Sequence, residues 1–114
     1  NKFHKFLPLE ALEDAFSRAK MLISEPKFIE CIKSKEIYKE QPFKVKNELK
    51  QMDLFCFNDR EICVIDYKTT DKNIEENKKQ VKEYKDALAK FYEKHSIIAV
   101  IFYALEGKIS YIEV

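Results

Sequence analysis

The sequence predicts one α/β domain, a mixed central sheet flanked by helices in the order α-β-β-β-α-β-β. Three observations predict it. The apolar period changes from helical to two-residue near Glu36, returns to helical near Lys72, and becomes strand-like again at Ser96. The run Ser96–Ala104 is almost wholly apolar, as suits a central strand covered on both faces. The 114 residues contain no stretch rich in Gly, Ser or Pro, so residues 1–114 form one unit without an internal linker.

Each element has a local reason. Leu9, Leu12, Ala15, Phe16, Ala19 and Ile23 recur at helical spacing, so the first helix is expected over about Leu9–Ile23. Its acids come early and its bases late, the order a helix dipole favours. Ser24-Glu25-Pro26 stops it, because the residue before a proline avoids the α region. A short helix over Lys27–Lys33 follows, with Phe28, Ile29 and Ile32 expected inward. Ile37–Lys46 reads as a strand interrupted by Pro42, hence an edge strand or a bend. Leu49–Phe57 and Ile62–Thr69 are the next two strands, joined by the polar turn Asn58-Asp59-Arg60-Glu61. The longest helix is expected from Lys72 or Asn73 to about Lys94, with Val81, Tyr84, Leu88 and Phe91 as its apolar stripe. The only glycine, Gly107, turns the chain between the apolar strand and a last strand over Ile109–Val114.

Composition restricts function. Lys and Arg number 21 against 20 Asp and Glu, a net charge of +1, so bulk positive charge is not what would hold a polyanion. No apolar run reaches the length of a membrane span, and no signal peptide is visible, so no membrane partner and a cytoplasmic location are expected. Cys31, Cys56 and Cys63 are odd in number and lack CxxC spacing, which argues against a disulfide framework and for buried free thiols. With Asn at position 1, the chain is expected to be a processed product or a piece of something longer.

The informative region is Leu49–Phe57 and Ile62–Thr70. If the two strands form a hairpin about Asp59-Arg60, Phe57 faces Ile62, Phe55 faces Val64 and Asp53 faces Asp66. Two opposed carboxylates in an apolar hairpin repel and lose solvation. A hard cation held by oxygen ligands, Mg²⁺ or Mn²⁺, offsets both. The plainer alternative turns one Asp to solvent or to a backbone amide. Strand alternation places Lys68 on the Asp66 side, about 6.6 Å further along. There it could act on a water or a phosphate, or simply close the strand at the surface. Gln80 and Tyr84 are four apart on one helix face. Tyr84 also belongs to the apolar stripe and could be only a core tyrosine.

Asp53, Asp66-Tyr67-Lys68-Thr69 and Gln80-x-x-x-Tyr84 together resemble the PD-(D/E)XK nuclease superfamily. Within it they look like the RecB-type exonuclease branch, and Gln51-Met52-Asp53-Leu54 looks most like the C-terminal nuclease domain of an AddA-type helicase–nuclease subunit. The resemblance spans about Glu40 to Leu88. It implies a restriction-endonuclease-like α-β-β-β-α-β core. It implies hydrolysis of DNA by an ATP-dependent helicase–nuclease of double-strand break repair and recombination. Its partners would be DNA, helicase domains of the same full-length chain and a second helicase–nuclease subunit.

Residue by residue, the resemblance makes Asp53 and Asp66 ligands of Mg²⁺ or Mn²⁺, with the Tyr67 carbonyl a further ligand. Lys68 would activate water and stabilise charge on the phosphate. Gln80 and Tyr84 would position the strand, and Glu40 would support the site, with Glu48 competing for that role. The branch usually carries a metal-ligating His on the first helix after a Gly-x-x-x pattern. His4 lacks that context and His95 lies beyond the long helix, so the expected His is placed upstream of Asn1. The fragment alone would then cut poorly. No Cys follows Cys63, so no iron–sulfur cluster is expected. A catalytically inactive nuclease fold serving as a DNA-binding or structural element is the alternative. An unrelated α/β interaction domain is the third reading.

Overall fold

The computed structural model describes residues 17, 19–45 and 47–114. The expected first helix lies largely outside the described residues, although 19–23 are helical; His4 also lies outside them. The described elements are α1 (Pro26–Ile32), β1 (Glu36–Val45), β2 (Glu48–Phe57), β3 (Glu61–Lys68), α2 (Ile74–Phe91), β4 (Ser96–Leu105) and β5 (Lys108–Glu113). They form a mixed α/β unit around one five-stranded sheet of order β1-β2-β3-β4-β5.

Local chemistry sets the boundaries. Pro26 opens α1, where its missing N–H costs nothing. The Glu25 carboxylate caps that end by accepting from the Lys27 N–H at 3.0 Å. In the turn after β2, the Asn58 side-chain carbonyl accepts from the backbone N–H groups of Arg60 and Glu61, at 2.9 and 2.8 Å. This fold-back fixes the hairpin register, which runs Phe57↔Ile62, Cys56↔Cys63, Phe55↔Val64 and Leu54↔Ile65. Pro42 is tolerated because β1 is an edge strand.

Only β3 and β4 run parallel, so the chain must cross over between them, and α2 is that crossover. β4 therefore lies under helices on both sides. Ala99, Ile101 and Tyr103 join the cluster beneath α2 with Met52, Phe55 and Val64. Val100 and Phe102 turn the other way, to Phe28, Cys31, Cys56 and Ile65 under α1. Both parities of the strand are buried, which is why its sequence shows no alternation.

Two inward expectations fail. Phe91 is 79% exposed and Ile29 46% exposed. α2 ends at Phe91, earlier than its periodicity suggests, with the Tyr92 N–H donating back to the Leu88 carbonyl. Phe91 lines an open groove with Tyr38, Met52, Leu88 and Tyr92 instead of entering the core. The seven-residue α1 can cover the sheet with one face only. Phe28 and Cys31 occupy that face, and Ile29 lies around the helix from it.

Gly107, at φ +69°, makes the β4–β5 turn between Leu105 and Lys108. A Cβ there would meet nothing within 4 Å. The cost of Gly107→Ala is then the left-handed backbone alone, about 1 kcal/mol of unfolding free energy in urea titration. A cost near zero would show that the turn adjusts its backbone.

Candidate functional site

Asp66 sits near the end of β3, and the strand has already fixed which way it points. Ile62 and Val64 lie in the cluster beneath α2. Alternation puts Asp66 and Lys68 on that same side. Asp66 is only 6% exposed, the one buried charged residue among those described. Lys68 Nζ lies 3.3 Å from Asp66 Oδ2, an ion pair along the strand edge. The pair is not aligned as a hydrogen bond, and Oδ2 has no hydrogen-bond partner.

Asp53 reaches the same place from β2. The ladder's last pair is Leu54↔Ile65, one step short of Asp53 and Asp66. Beyond it, Asp53 Oδ2 accepts the Tyr67 backbone N–H at 2.7 Å. A carboxylate has replaced the ladder at the point where the two acids approach. The sheet is also distorted there. Leu54 packs on the α1 side and Met52 on the α2 side, although regular alternation would put both on one face. Across on β1, Glu40 has φ +51° and falls out of the ladder between Lys39↔Leu54 and Gln41↔Met52. Two neighbouring strands thus break pattern at one level, a local strain of the kind that collects at functional sites.

The electrostatics follow from this crowding. Burial is the largest influence on Asp66, and its pKa is pushed up to about 6; Lys68 works against the rise and Asp53 adds to it. Tyr84, on the inner face of α2 and 2% exposed, has its phenol raised by burial and then by the charges of Asp66 and Asp53. Asp53, Asp66, Lys68 and Tyr84 therefore share one electrostatic neighbourhood.

The other expected residues are placed less centrally. Glu40 lines a depression of about 460 Å³ with Lys39, Asp53 and Tyr67. Glu48 pairs with Lys50 at 3.1 Å, further back along β2. Of the two acids weighed for the supporting role, Glu40 is the one beside Asp53. Gln80 is half-buried and lines a different depression, of about 310 Å³, with Lys50, Asn77 and Lys79. His95 Nε2 contacts the Asn58 carbonyl at 3.0 Å, at the turn end of the sheet and away from the acids. Asn77 was not singled out from the sequence. Its side-chain amide donates to the Tyr103 hydroxyl at 3.2 Å, and Tyr103 stands beside Lys68 in the parallel register. The spacing Asn77-x-x-Gln80-x-x-x-Tyr84, one continuous helix face, could have flagged it.

No family model, curated protein or solved structure matches the chain. What this site can do is decided by its own residues. Among those described, no three His, Cys, Asp or Glu side chains converge as a metal cage. Two carboxylates do converge, and one of them has a buried oxygen without a hydrogen-bond partner. Hard oxygen donors short of positive charge fit a hard dication that completes its shell from backbone, water or substrate oxygens. Among the described residues no helix is long and apolar enough to cross a membrane.

Proposed function

We propose that this chain is a metal-dependent DNA nuclease domain with a restriction-endonuclease-like fold, of the PD-(D/E)XK superfamily and its RecB-type branch. It would hydrolyse phosphodiester bonds within an ATP-dependent helicase–nuclease used in double-strand break repair and recombination. The observation that carries the reading is the approach of Asp53 and Asp66, with an oxygen of Asp66 buried and lacking a hydrogen bond and Lys68 at 3.3 Å.

The residues divide the work. Asp53 and Asp66, with the Tyr67 carbonyl, would hold Mg²⁺ or Mn²⁺. When bound, such an ion polarises a phosphate oxygen and eases deprotonation of the attacking water. Lys68 stabilises negative charge that develops on the phosphate, from a position fixed by strand alternation and by its ion pair. Tyr84 closes the inner side of the site and keeps it dry, which strengthens every charge interaction there. Gln80 would orient the strand from the α2 side. Neither carboxylate forms a covalent intermediate.

Mn²⁺ titration followed by calorimetry tests the site directly. Wild type is expected to bind, and Asp53→Ala and Asp66→Ala are each expected to weaken binding by at least about tenfold. Unchanged binding in both variants overturns the assignment. The inactive-fold reading is favoured by one observation, that only two carboxylates converge among the described residues. DNA binding without hydrolysis at saturating Mn²⁺ would select it.

A further inference from the structure

Asp66 and Tyr84 are both buried beneath α2, so a substrate does not reach the acids over that face of the sheet. The open approach lies elsewhere. A depression of about 460 Å³ is lined by Lys39, Glu40, Asp53, Leu54 and Tyr67. Its volume falls in the range of small-ligand sites, about 300–1,000 Å³. Asp53 belongs both to this wall and to the acidic pair, so the depression opens directly on one of the two carboxylates.

Two of the lining side chains have no part in the chemistry described above. Tyr67 lies between Asp66 and Lys68, so strand alternation turns its ring to the opposite face, the side of Ile65 and Leu54. α1 covers Ile65 there with Phe28 and Cys31, and Tyr67, further along β3, stays half-buried at the wall of the depression. Its backbone N–H donates to Asp53 Oδ2 at 2.7 Å, which fixes the ring's starting point relative to the acid. Lys39 is exposed on β1 at the same depression. Lys50 and Lys68 are each paired with an acid, whereas Lys39 forms no ion pair with another described residue.

We propose that this depression is a nucleotide subsite, in which the Tyr67 ring stacks on the base beside the scissile phosphate and Lys39 contacts a neighbouring backbone phosphate. The inference rests on the reading of the chain as a DNA nuclease and adds two residues that position the strand. An aromatic face and a cation in one wall are the pair of features that hold an unpaired nucleotide: the ring takes any base, and the ammonium takes the backbone. A base inside a duplex has no free face to offer, so the subsite accepts a nucleotide only out of the stack. Glu40 stands in the same wall and opposes a phosphate, which confines the backbone to the Lys39 end. Tyr67 and Lys39 are positioning residues. Neither exchanges a proton with the substrate.

The test compares two labelled probes by fluorescence anisotropy in EDTA at low salt: a thymidine oligonucleotide of about eight nucleotides and an abasic oligonucleotide of the same length. The full chain is expected to bind the thymidine probe at least about fivefold more tightly, the lower end of what one stacked base contributes. Tyr67→Leu should abolish that preference and leave abasic binding unchanged, and Tyr67→Phe should keep it. Lys39→Gln should weaken both probes and reduce the slope of log K against log salt by about 0.7, the loss of one single-strand phosphate contact. Equal binding of the two probes by wild type, or no binding of either, overturns the subsite. A Tyr67→Leu variant that keeps the preference, or that loses both probes alike, overturns the stacking role, and an unchanged salt slope in Lys39→Gln overturns the phosphate contact. All of this is read without metal, whereas Mn²⁺ calorimetry on the Asp53 and Asp66 variants decides the acidic site. A base preference in a chain that binds no Mn²⁺ would leave a DNA-binding subsite and end the nuclease reading; Mn²⁺ binding without the preference would do the reverse.

Discussion

Lys68→Met is expected to slow metal-dependent DNA hydrolysis by about 10²–10³-fold, the usual cost of removing one preorganised charge from a reacting centre. It is also expected to destabilise the protein at pH 8 and not at pH 4. The reason is the ion pair. Lys68 Nζ stands 3.3 Å from the buried Oδ2 of Asp66 and holds down a pKa that burial has raised. Without it, the folded-state pKa of Asp66 climbs further above 6 while the unfolded value stays near 4. The folded protein then binds the Asp66 proton more tightly, and ionising that group above pH 6 costs more. At pH 4 the folded carboxyl is already protonated, so losing the ammonium matters little. Lys68 is partly solvated, so the loss at pH 8 is on the order of 1–3 kcal/mol, below that of a fully buried pair. Urea titrations at both pH values check this, alongside single-turnover hydrolysis in Mg²⁺. An equal loss at the two pH values would mean that the lysine stem contributes by packing and the charge contributes nothing.

The fold was largely legible because its signals are local and redundant. Period two, Pro42, the Asn58 turn and the doubly apolar β4 each point to one element, and each is found. The hairpin register was legible for the same reason. A one-residue slip would have sent Phe55 and Phe57 to the wrong face. What was not legible depended on where elements stop. The helical period of α2 runs past Leu88 without a break, so nothing in the sequence says that Phe91 faces an open groove and not the core. Phe91 was misplaced for that reason, and Ile29 because a short helix has too few turns to define its buried side. At the site, the approach of Asp53 to Asp66 and the placement of Lys68 on the Asp66 side were readable from the hairpin register and strand alternation. Their condition was not. The Asp53 bond to the Tyr67 N–H, the change of face between Met52 and Leu54 in β2 and the positive φ of Glu40 arise only when three strands meet at one level. Pattern along a single strand does not carry that information.

Asp66→Asn is expected to make the protein more stable at pH 8 and unable to hold a metal ion. The wild-type carboxyl rises from 3.8 in the free residue to about 6 in the fold. Between those values the unfolded chain has released its proton and the folded chain has kept it, so stability falls as pH rises through the window. Below pH 4 both states are protonated and the penalty is absent; above pH 6 it is complete, at about 3 kcal/mol for a shift of this size. Asparagine has nearly the same shape and no charge to bury. Its stability should therefore be flat from pH 4 to pH 8 and should exceed wild type at the upper end by about 2–3 kcal/mol. Urea titration across that range gives the curve, and a variant less stable than wild type at pH 8 would show that Asp66 is well solvated or well paired. Mn²⁺ should reverse the order. A ligand that binds only the folded state stabilises it by RT ln(1 + [L]/Kd), about 2.7 kcal/mol at a hundredfold excess over Kd, and only the wild type can collect that term. On the proposed reading, the cost of burying Asp66 beside Asp53 would be offset by a bound dication, and the strain at the two acids would serve the site's chemistry.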